Sequence, residues 1–222
     1  MRLGPIFESG VGAMAEFPSD IFTEPAFDPD TLKHLGPLTA LAGRWEGRRG
    51  VDRHPEADGP LEEPFVEHYL LEPIDPQTNG PQLFYGLRYH TFITRPNQTK
   101  AFHDQVGFWL WEPATSTVLL TLTIPRGQIA MAAGSAAPDA KSFAVASTDG
   151  DRHHGILSNP FLDYAFKTLS FRMTVTIESD DSWSYEQDTV LKVAGQAEPF
   201  HHTDRNTLRR IAPPTPNPQI RV

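Results

Sequence analysis

Hydrophobic and polar positions alternate with a period of two through most of the central part of this chain. Side chains of a strand point alternately to its two faces, so this pattern predicts β-strands. Gly, Pro, Asn and Asp end the alternating segments, as expected for turns. The predicted strands are residues 43–51, 65–71, 83–94, 103–111, 118–124, 128–133, 142–147, 169–177, 183–193 and 200–211.

Consecutive strands joined by short turns are typical of an antiparallel meander, and closure into a barrel removes the exposed sheet edges. We therefore predict an all-β fold, a single closed antiparallel β-barrel of about ten strands. The apolar run at residues 38–42 has helical character and predicts a short helical plug before the first strand.

The ends of the chain differ from this pattern. Residues 1–37 have no clean period, and we interpret them as an N-terminal extension that packs on or over the barrel, with a disordered leader as the alternative. Its anchors would be Phe17, Ile21, Phe22 and Phe27. The barrel is assigned to residues 38–212 and a Pro-rich C-terminal tail to residues 213–222.

The amino-acid composition argues against several classes of function. The chain has 222 residues, 39% of them hydrophobic, which is enough for one sizeable core. It has no cysteine, which excludes disulfides and thiolate chemistry, and its net charge of -9 argues against a nucleic-acid partner. No apolar run is long enough for a membrane span, and the first residues lack the apolar core of a signal peptide, so a cytoplasmic protein is predicted.

The first predicted strand opens with Gly43-Arg44-Trp45-Glu46-Gly47. Glycines at this spacing allow two backbones to approach closely, and the indole can plug one end of a barrel while its N–H caps a carbonyl. In the strand at 103–111, His103 and Gln105 share a face with Gly107. The final strand is polar on both faces, so it is exposed on both sides or lines a polar cavity.

Candidate polar groups of a cavity are His103, Gln105, Thr203 and Arg205. A buried Arg205 would favour a carboxylate ligand, and a position on the outer face is the alternative. Adjacent histidines such as His201 and His202 point to opposite faces of a strand and cannot chelate one ion. No His-x-His or Gly-x-Ser-x-Gly motif occurs, so we predict no metal ligand and no catalytic residue.

Three segments resemble the nitrobindins, relatives of the calycin-type fatty-acid-binding-protein fold. They are residues 41–47, 102–108 and 206–211, and the resemblance spans residues ~38–212, going by the strand lengths and turns. It implies a ten-stranded barrel with a haem b cavity, nitric oxide binding at ferric iron and, for several members, isomerisation of peroxynitrite to nitrate.

The family also has a proximal haem histidine in its last strand, and the resemblance implies that Thr203 takes that position here. A hydroxyl is a poor axial ligand, so we expect a divergent branch that lacks the proximal haem histidine and has no cofactor. The leading hypothesis is a non-enzymatic barrel that binds a small apolar or amphipathic molecule. Its ligand-binding residues would be Trp45, His103, Gln105, Thr203 and Arg205.

Two alternatives stay open at this point. The first is a haem b-dependent peroxynitrite isomerase with His201 or His103 as the axial ligand. The second is a barrel filled by its own side chains that acts as an interaction protein. No nucleic-acid or membrane partner is expected, and homodimer formation is left open.

Overall fold

The computed structural model of the protein describes residues 17–221. The described strands are β1 (Gly43–Glu56), β2 (Gly59–Pro73), β3 (Gln77–Asn79), β4 (Gln82–Thr94), β5 (Ala101–Glu112), β6 (Thr117–Ile124), β7 (Gln128–Ser135), β8 (Ser142–Thr148), β9 (Ile156–Ser158), β10 (Phe166–Ser179), β11 (Ser182–Val193) and β12 (Phe200–Ala212). The helix α1 spans Pro160–Ala165, and short 3-10 helices span Thr31–Lys33, Gly36–Leu41 and Pro218–Ile220.

Ten of these strands form a closed antiparallel barrel. Its order is β2-β1-β12-β11-β10-β8-β7-β6-β5-β4, and pairing of β2 with β4 closes the ring. The short strands β3 and β9 pair with β4 and β7 outside this ring. The predicted fold and all ten predicted strands are therefore confirmed.

The clearest difference from the sequence-based expectation is the helix α1, which was not expected. The side chain of Asn159 caps it by accepting hydrogen bonds from the backbone N–H groups of Phe161 and Leu162, and Pro160 occupies the first turn. An Asn followed by Pro is a helix-start signal, because one supplies the missing acceptor and the other has a helical φ.

One end of the barrel, the closed end, is packed with aromatic side chains. Its largest buried side chains are Trp45, Trp109, Trp111 and Trp183. The Trp45 indole donates from Nε1 to the Leu41 carbonyl at 2.7 Å, which ties β1 to the 3-10 helix Gly36–Leu41. This helix is the short plug expected from the apolar run.

Two residues explain why the Gly-x-Trp-x-Gly segment closes this end. A side chain at Gly47 would collide with the side chain of Asn206 of β12, so glycine leaves room for this buried amide. The guanidinium of Arg210 lies 4.2 Å from the centroid of the Trp45 ring and also donates to the Ala42 carbonyl. Arg210 therefore fastens the plug to the last strand through both a cation–π contact and a hydrogen bond.

The described part of the N-terminal extension lies against this same end. The Tyr85 hydroxyl donates to the Asp28 carbonyl at 3.3 Å, and the side chain of Asn217 from the tail donates to the Pro29 carbonyl at 2.9 Å. The predicted anchoring role is wrong, because all four proposed anchors are exposed, from Phe27 at 40% to Phe22 at 86%. Residues 1–16 of the predicted extension lie outside the described residues. Within residues 17–221, no helix is long and apolar enough to span a membrane.

Candidate functional site

The other end of the barrel, the open end, contains a cavity of about 470 Å³. It reaches the surface between Glu56, Arg126 and Phe166, which line it and are exposed. Much of its wall is apolar, with contributions from Ile93, Leu122, Ile124, Phe171, Met173 and Leu191. The barrel is therefore not filled by its own side chains.

One side of this cavity is polar. We call Asp52, His54, Gln187, His202 and Asp204 the polar wall, and all five line the cavity. They come from the neighbouring strands β1, β12 and β11. Asp52 pairs with Asp204 across β1 and β12, and Asp204 pairs with Gln187 across β12 and β11. Residues two apart on a strand share a face, so His54 and His202 follow on the same side.

The Asp52 carboxylate is the centre of the polar wall. Its Oδ1 lies 2.9 Å from His202 Nε2, and its Oδ2 lies 2.8 Å from His54 Nδ1. His202 Nε2 is also 3.7 Å from Asp204 Oδ2, to which Gln187 Nε2 donates at 3.0 Å. Donor atoms of Asp52, His202 and Asp204 all lie within 4.8 Å of one another.

The carboxyl groups of Asp52 and Asp204 differ in pKa because their surroundings differ. Burial, together with the charges of Asp52 and Glu67, raises the pKa of Asp204 to about 7. Burial also acts to raise the pKa of Asp52, but the hydrogen bonds and charges of His202 and His54 outweigh it and lower the value. For His202, burial is outweighed by the Asp52 hydrogen bond and the Asp204 charge, so its pKa is raised. The wall is thus an Asp–His–Asp cluster in which one carboxyl group holds its proton more tightly than the other.

A buried carboxyl group, Glu67 of β2, forms the inner end of the cavity. It accepts hydrogen bonds from the Thr91 hydroxyl at 3.0 Å, the Tyr185 hydroxyl at 2.9 Å and the Asn206 amide at 3.0 Å. Burial raises the pKa of Glu67, and the three donors only partly offset this effect. Glu67 therefore separates the aromatic closed end from the cavity.

His103 and Gln105 line the cavity from β5, on the face that the family resemblance implied. His103 Nε2 lies 3.3 Å from Gln105 Oε1, and Gln105 Nε2 donates to the Tyr89 hydroxyl at 2.7 Å. Burial lowers the pKa of His103. Their ligand-binding roles stay predictions.

Three other residues predicted for the site are not part of the cavity wall. Thr203 and Arg205 lie on the opposite face of β12 from His202 and Asp204, and Arg205 is exposed. The expectation that Thr203 faces inward and His202 outward is corrected by this register. Trp45 belongs to the closed end and does not reach the cavity.

The sequence did contain the signal for the correct face of β12. The apolar residues Phe200 and Leu208 are both buried, and they share their parity with His202 and Asp204. The register implied by the resemblance aligned the family's final strand on Pro199 and Arg209-Arg210, which placed its histidine position on Thr203 and therefore on the opposite face.

Two short motifs of the polar wall were also missed. They are Asp52-Arg53-His54 and His202-Thr203-Asp204, in which the chemical groups are two residues apart. On strands this spacing puts both groups on one face. Only the pairing of β1 with β12 brings the two motifs together.

Comparison with known proteins is consistent with this architecture. The crystal structure of Rv2717c from M. tuberculosis superposes with a TM-score of 0.56, covering 81% of this chain and 96% of that chain, at 21% sequence identity. At this identity the likeness concerns the fold. None of the curated proteins matches the chain.

A family model gives the assignment. The model described as "THAP4-like, heme-binding beta-barrel domain" matches residues 34–210, which include the whole barrel except the last two residues of β12. This match confirms the resemblance to the nitrobindins that the three sequence segments indicated. The chain therefore belongs to the family of THAP4-like, heme-binding β-barrel domains, the nitrobindin family.

Proposed function

We propose that this protein is a binding protein that holds a small amphipathic molecule, without haem, in the cavity at the open end of its barrel. The observation that carries the proposal is the division of the cavity into an apolar side and a polar wall. Its volume of about 470 Å³ is in the range of small-molecule sites, which are commonly about 300–1,000 Å³.

The two sides of the cavity have different tasks. Leu122, Phe171 and Met173 remove the apolar body of the ligand from water, which supplies most of the binding free energy. The polar wall and the His103–Gln105 pair orient the polar end through hydrogen bonds. Because Arg205 is exposed on the outer face, it gives no reason to prefer a carboxylate ligand.

Binding of haem b is the second candidate, and one observation favours it. His202 of the final strand faces the cavity, and the family is described as heme-binding. An imidazole is a common axial ligand of haem iron, whereas the hydroxyl of Thr203 is not. We expected the haem ligand to be lost because Thr203 was aligned with the family's histidine. Since His202 faces the cavity, this reason no longer holds.

In the arrangement described, haem iron would have to displace an existing side-chain contact of a cavity histidine or bind the other nitrogen of its ring, as is common for metal-bound histidines. Among residues 17–221, three histidines line the cavity, and each has a ring nitrogen close to a side-chain oxygen. His202 Nε2 lies 2.9 Å from Asp52, His54 Nδ1 lies 2.8 Å from Asp52, and His103 Nε2 lies 3.3 Å from Gln105. An axial bond from His202 Nε2 would require the loss of its contact with a buried carboxylate.

A fluorescent probe tests the leading proposal. N-phenyl-1-naphthylamine is neutral and apolar, and we expect saturable binding of one molecule per chain with enhanced fluorescence. Leu122→Trp fills the cavity and should abolish this binding. Leu119→Trp is the matched control, because Leu119 lies on the outer face of the same strand and does not line the cavity. Equal binding by both variants would contradict the proposal.

A titration with hemin separates the two candidates. The leading proposal expects no saturable one-to-one complex with an imidazole-ligated Soret spectrum. Such a spectrum in the wild-type protein, lost on His202→Ala or His103→Ala and retained in the surface variant His201→Ala, would make haem binding the better account.

A further inference from the structure

We propose that Asp52, His202 and Asp204 form a binding site for a divalent first-row metal ion, with Zn²⁺ as the ion to test. From the sequence we expected no metal ligand, because no predicted strand carries histidines at a chelating spacing such as His-x-His. The site arises instead from two strands, each of which contributes one of the two Asp/His motifs. This inference does not depend on whether the cavity binds an amphipathic molecule.

The distances between the donor atoms fit one shared ion. His202 Nε2 lies 2.9 Å from Asp52 Oδ1 and 3.7 Å from Asp204 Oδ2. Zinc bonds to histidine nitrogen and carboxylate oxygen are about 2.0–2.2 Å long, so two donors on one ion lie roughly 3–3.5 Å apart. Small rotations of these side chains therefore bring all three donor atoms into bonding distance of one point.

The charges of the wall favour a cation at this point. Asp52 and Asp204 are directly opposite each other across β1 and β12, and both side chains are largely buried, with 7% and 15% exposure. Like charges directly opposite on neighbouring strands are unfavourable. A cation between the two carboxylates replaces this repulsion with two attractive contacts. The imidazole of His202 adds a nitrogen ligand, which favours a first-row metal such as Zn²⁺ over cations that prefer oxygen ligands.

The neighbouring side chains are arranged as the supports of such ligands. His54 Nδ1 lies 2.8 Å from Asp52 Oδ2, the oxygen that does not face His202. Gln187 donates to Asp204 Oδ2 at 3.0 Å. Polar contacts of this kind hold metal-binding carboxylates in position, and their loss commonly weakens binding about 10–100-fold. We assign His54 and Gln187 as positioning residues.

Three protein ligands leave coordination positions free on the side that faces the cavity. An ion at this point lies in the wall of the 470 Å³ cavity, where an oxygen or nitrogen atom of a small molecule could complete its coordination. The inference therefore gives the polar wall a specific chemistry, which is a Lewis-acidic centre beside an apolar chamber.

Isothermal titration of the full chain with Zn²⁺, after removal of bound metal with a chelator, tests this inference. The wild-type protein should bind one ion with an affinity higher than that of any surface histidine. His202→Gln and Asp204→Asn, made separately, should each weaken this site at least about tenfold. His54→Gln should weaken it by a smaller factor, because His54 contacts the ion only through Asp52.

The matched control is His201→Gln. His201 is the adjacent histidine of β12, pairs with Asp188 at 2.8 Å on the outer face and is 60% exposed. It should leave Zn²⁺ binding unchanged. Thermal unfolding gives a second measurement: Zn²⁺ should raise the midpoint of the wild-type protein and of His201→Gln, but not of His202→Gln or Asp204→Asn.

Three outcomes would overturn the inference. They are the absence of a one-to-one Zn²⁺ site in the wild-type protein, an equal loss in His201→Gln, and tighter binding of Ca²⁺ than of Zn²⁺. Far-UV circular dichroism of each variant establishes that it is folded. Should one variant not fold, the other still decides, because His202 and Asp204 are required independently.

Discussion

The two ends of this barrel are built from the same strands, but one end is tightly packed and the other surrounds a cavity. At the closed end, four tryptophans, the plug helix Gly36–Leu41 and Arg210 leave little space between the strands. At the open end, the same strands surround a cavity and place carboxyl groups and imidazoles on one wall. Along β12, for example, Leu208 is fully buried in the closed end, whereas His202 lines the cavity.

This difference shows how stability and binding are separated within one sheet. The closed end gains from apolar burial and from aromatic contacts such as that of Trp45 with Trp183, whose ring centroids are 6.0 Å apart. The open end has buried like charges and unfilled space, both of which cost stability. Glu67 and its three hydrogen-bond donors lie between the two regions.

The largest expected effect is a difference in stability between truncations at the two ends. Trp45→Ala removes a fully buried indole, its hydrogen bond to Leu41 and its contact with Arg210, and should lower the free energy of unfolding by about 3–5 kcal/mol. Leu122→Ala should cost about 2 kcal/mol or less, because this side chain already borders a cavity. Urea unfolding measures both values, and equal losses would contradict the comparison.

The second expectation concerns pH and the buried Glu67. Its folded-state pKa is raised above the ordinary value of 4.5, so the folded protein retains this proton more strongly than the unfolded chain. The stability from Glu67 is fully present below pH 4.5 and is lost as pH rises through the raised pKa. The free energy of unfolding should therefore fall with rising pH in this window more steeply in the wild-type protein than in Glu67→Gln.

The titratable groups that act electrostatically on Glu67 or are affected by it are Tyr69, Tyr185 and Asp204. Because the Glu67 charge contributes to the raised pKa of Asp204, the two proteins are compared in an Asp204→Asn background, where the difference between them reports the Glu67 proton. Parallel pH profiles of the two proteins would show that Glu67 has no raised pKa.

A third expectation tests whether the polar wall costs stability. In the presence of a chelator, Asp204→Asn removes the charge opposite Asp52 but keeps an oxygen that can accept from Gln187. The free energy of unfolding should increase by up to about 1 kcal/mol. Asp188→Asn, which alters the outer-face pair with His201, should change it by less than about 0.5 kcal/mol. A loss of stability in Asp204→Asn would mean that this carboxylate is a structural requirement.

The smallest expected effect is that of Thr203→His. Thr203 lies on the outer face of β12, so a histidine there cannot reach the cavity, and the hemin absorption spectrum should equal that of the wild-type protein. New imidazole-ligated hemin binding in this variant would contradict this orientation and would show that Thr203 faces inward, as the family resemblance implied.

Much of the barrel was accessible from the sequence because its signals are local. The ten strands of the ring were predicted from alternation and turn residues. Alternation placed His103 and Gln105 on one face of β5, but both faces of this strand hold large apolar residues, so their inward orientation was predicted from the family resemblance. β12 was harder, since both of its faces are polar. Its orientation depends on two apolar residues, Phe200 and Leu208, against a background of His, Asp, Arg and Thr.

The amino-acid sequence by itself determined the fold class and the family, because period-two alternation, turn residues and three short motifs are each visible within a few residues of the chain. Only the tertiary structure decided the polar wall. Asp52 and Asp204 are far apart in sequence, and their contact exists because β1 pairs with β12 in one particular register. A shift of either strand by one residue would turn its carboxyl group outward and separate the pair, and this register is fixed by packing around the whole barrel.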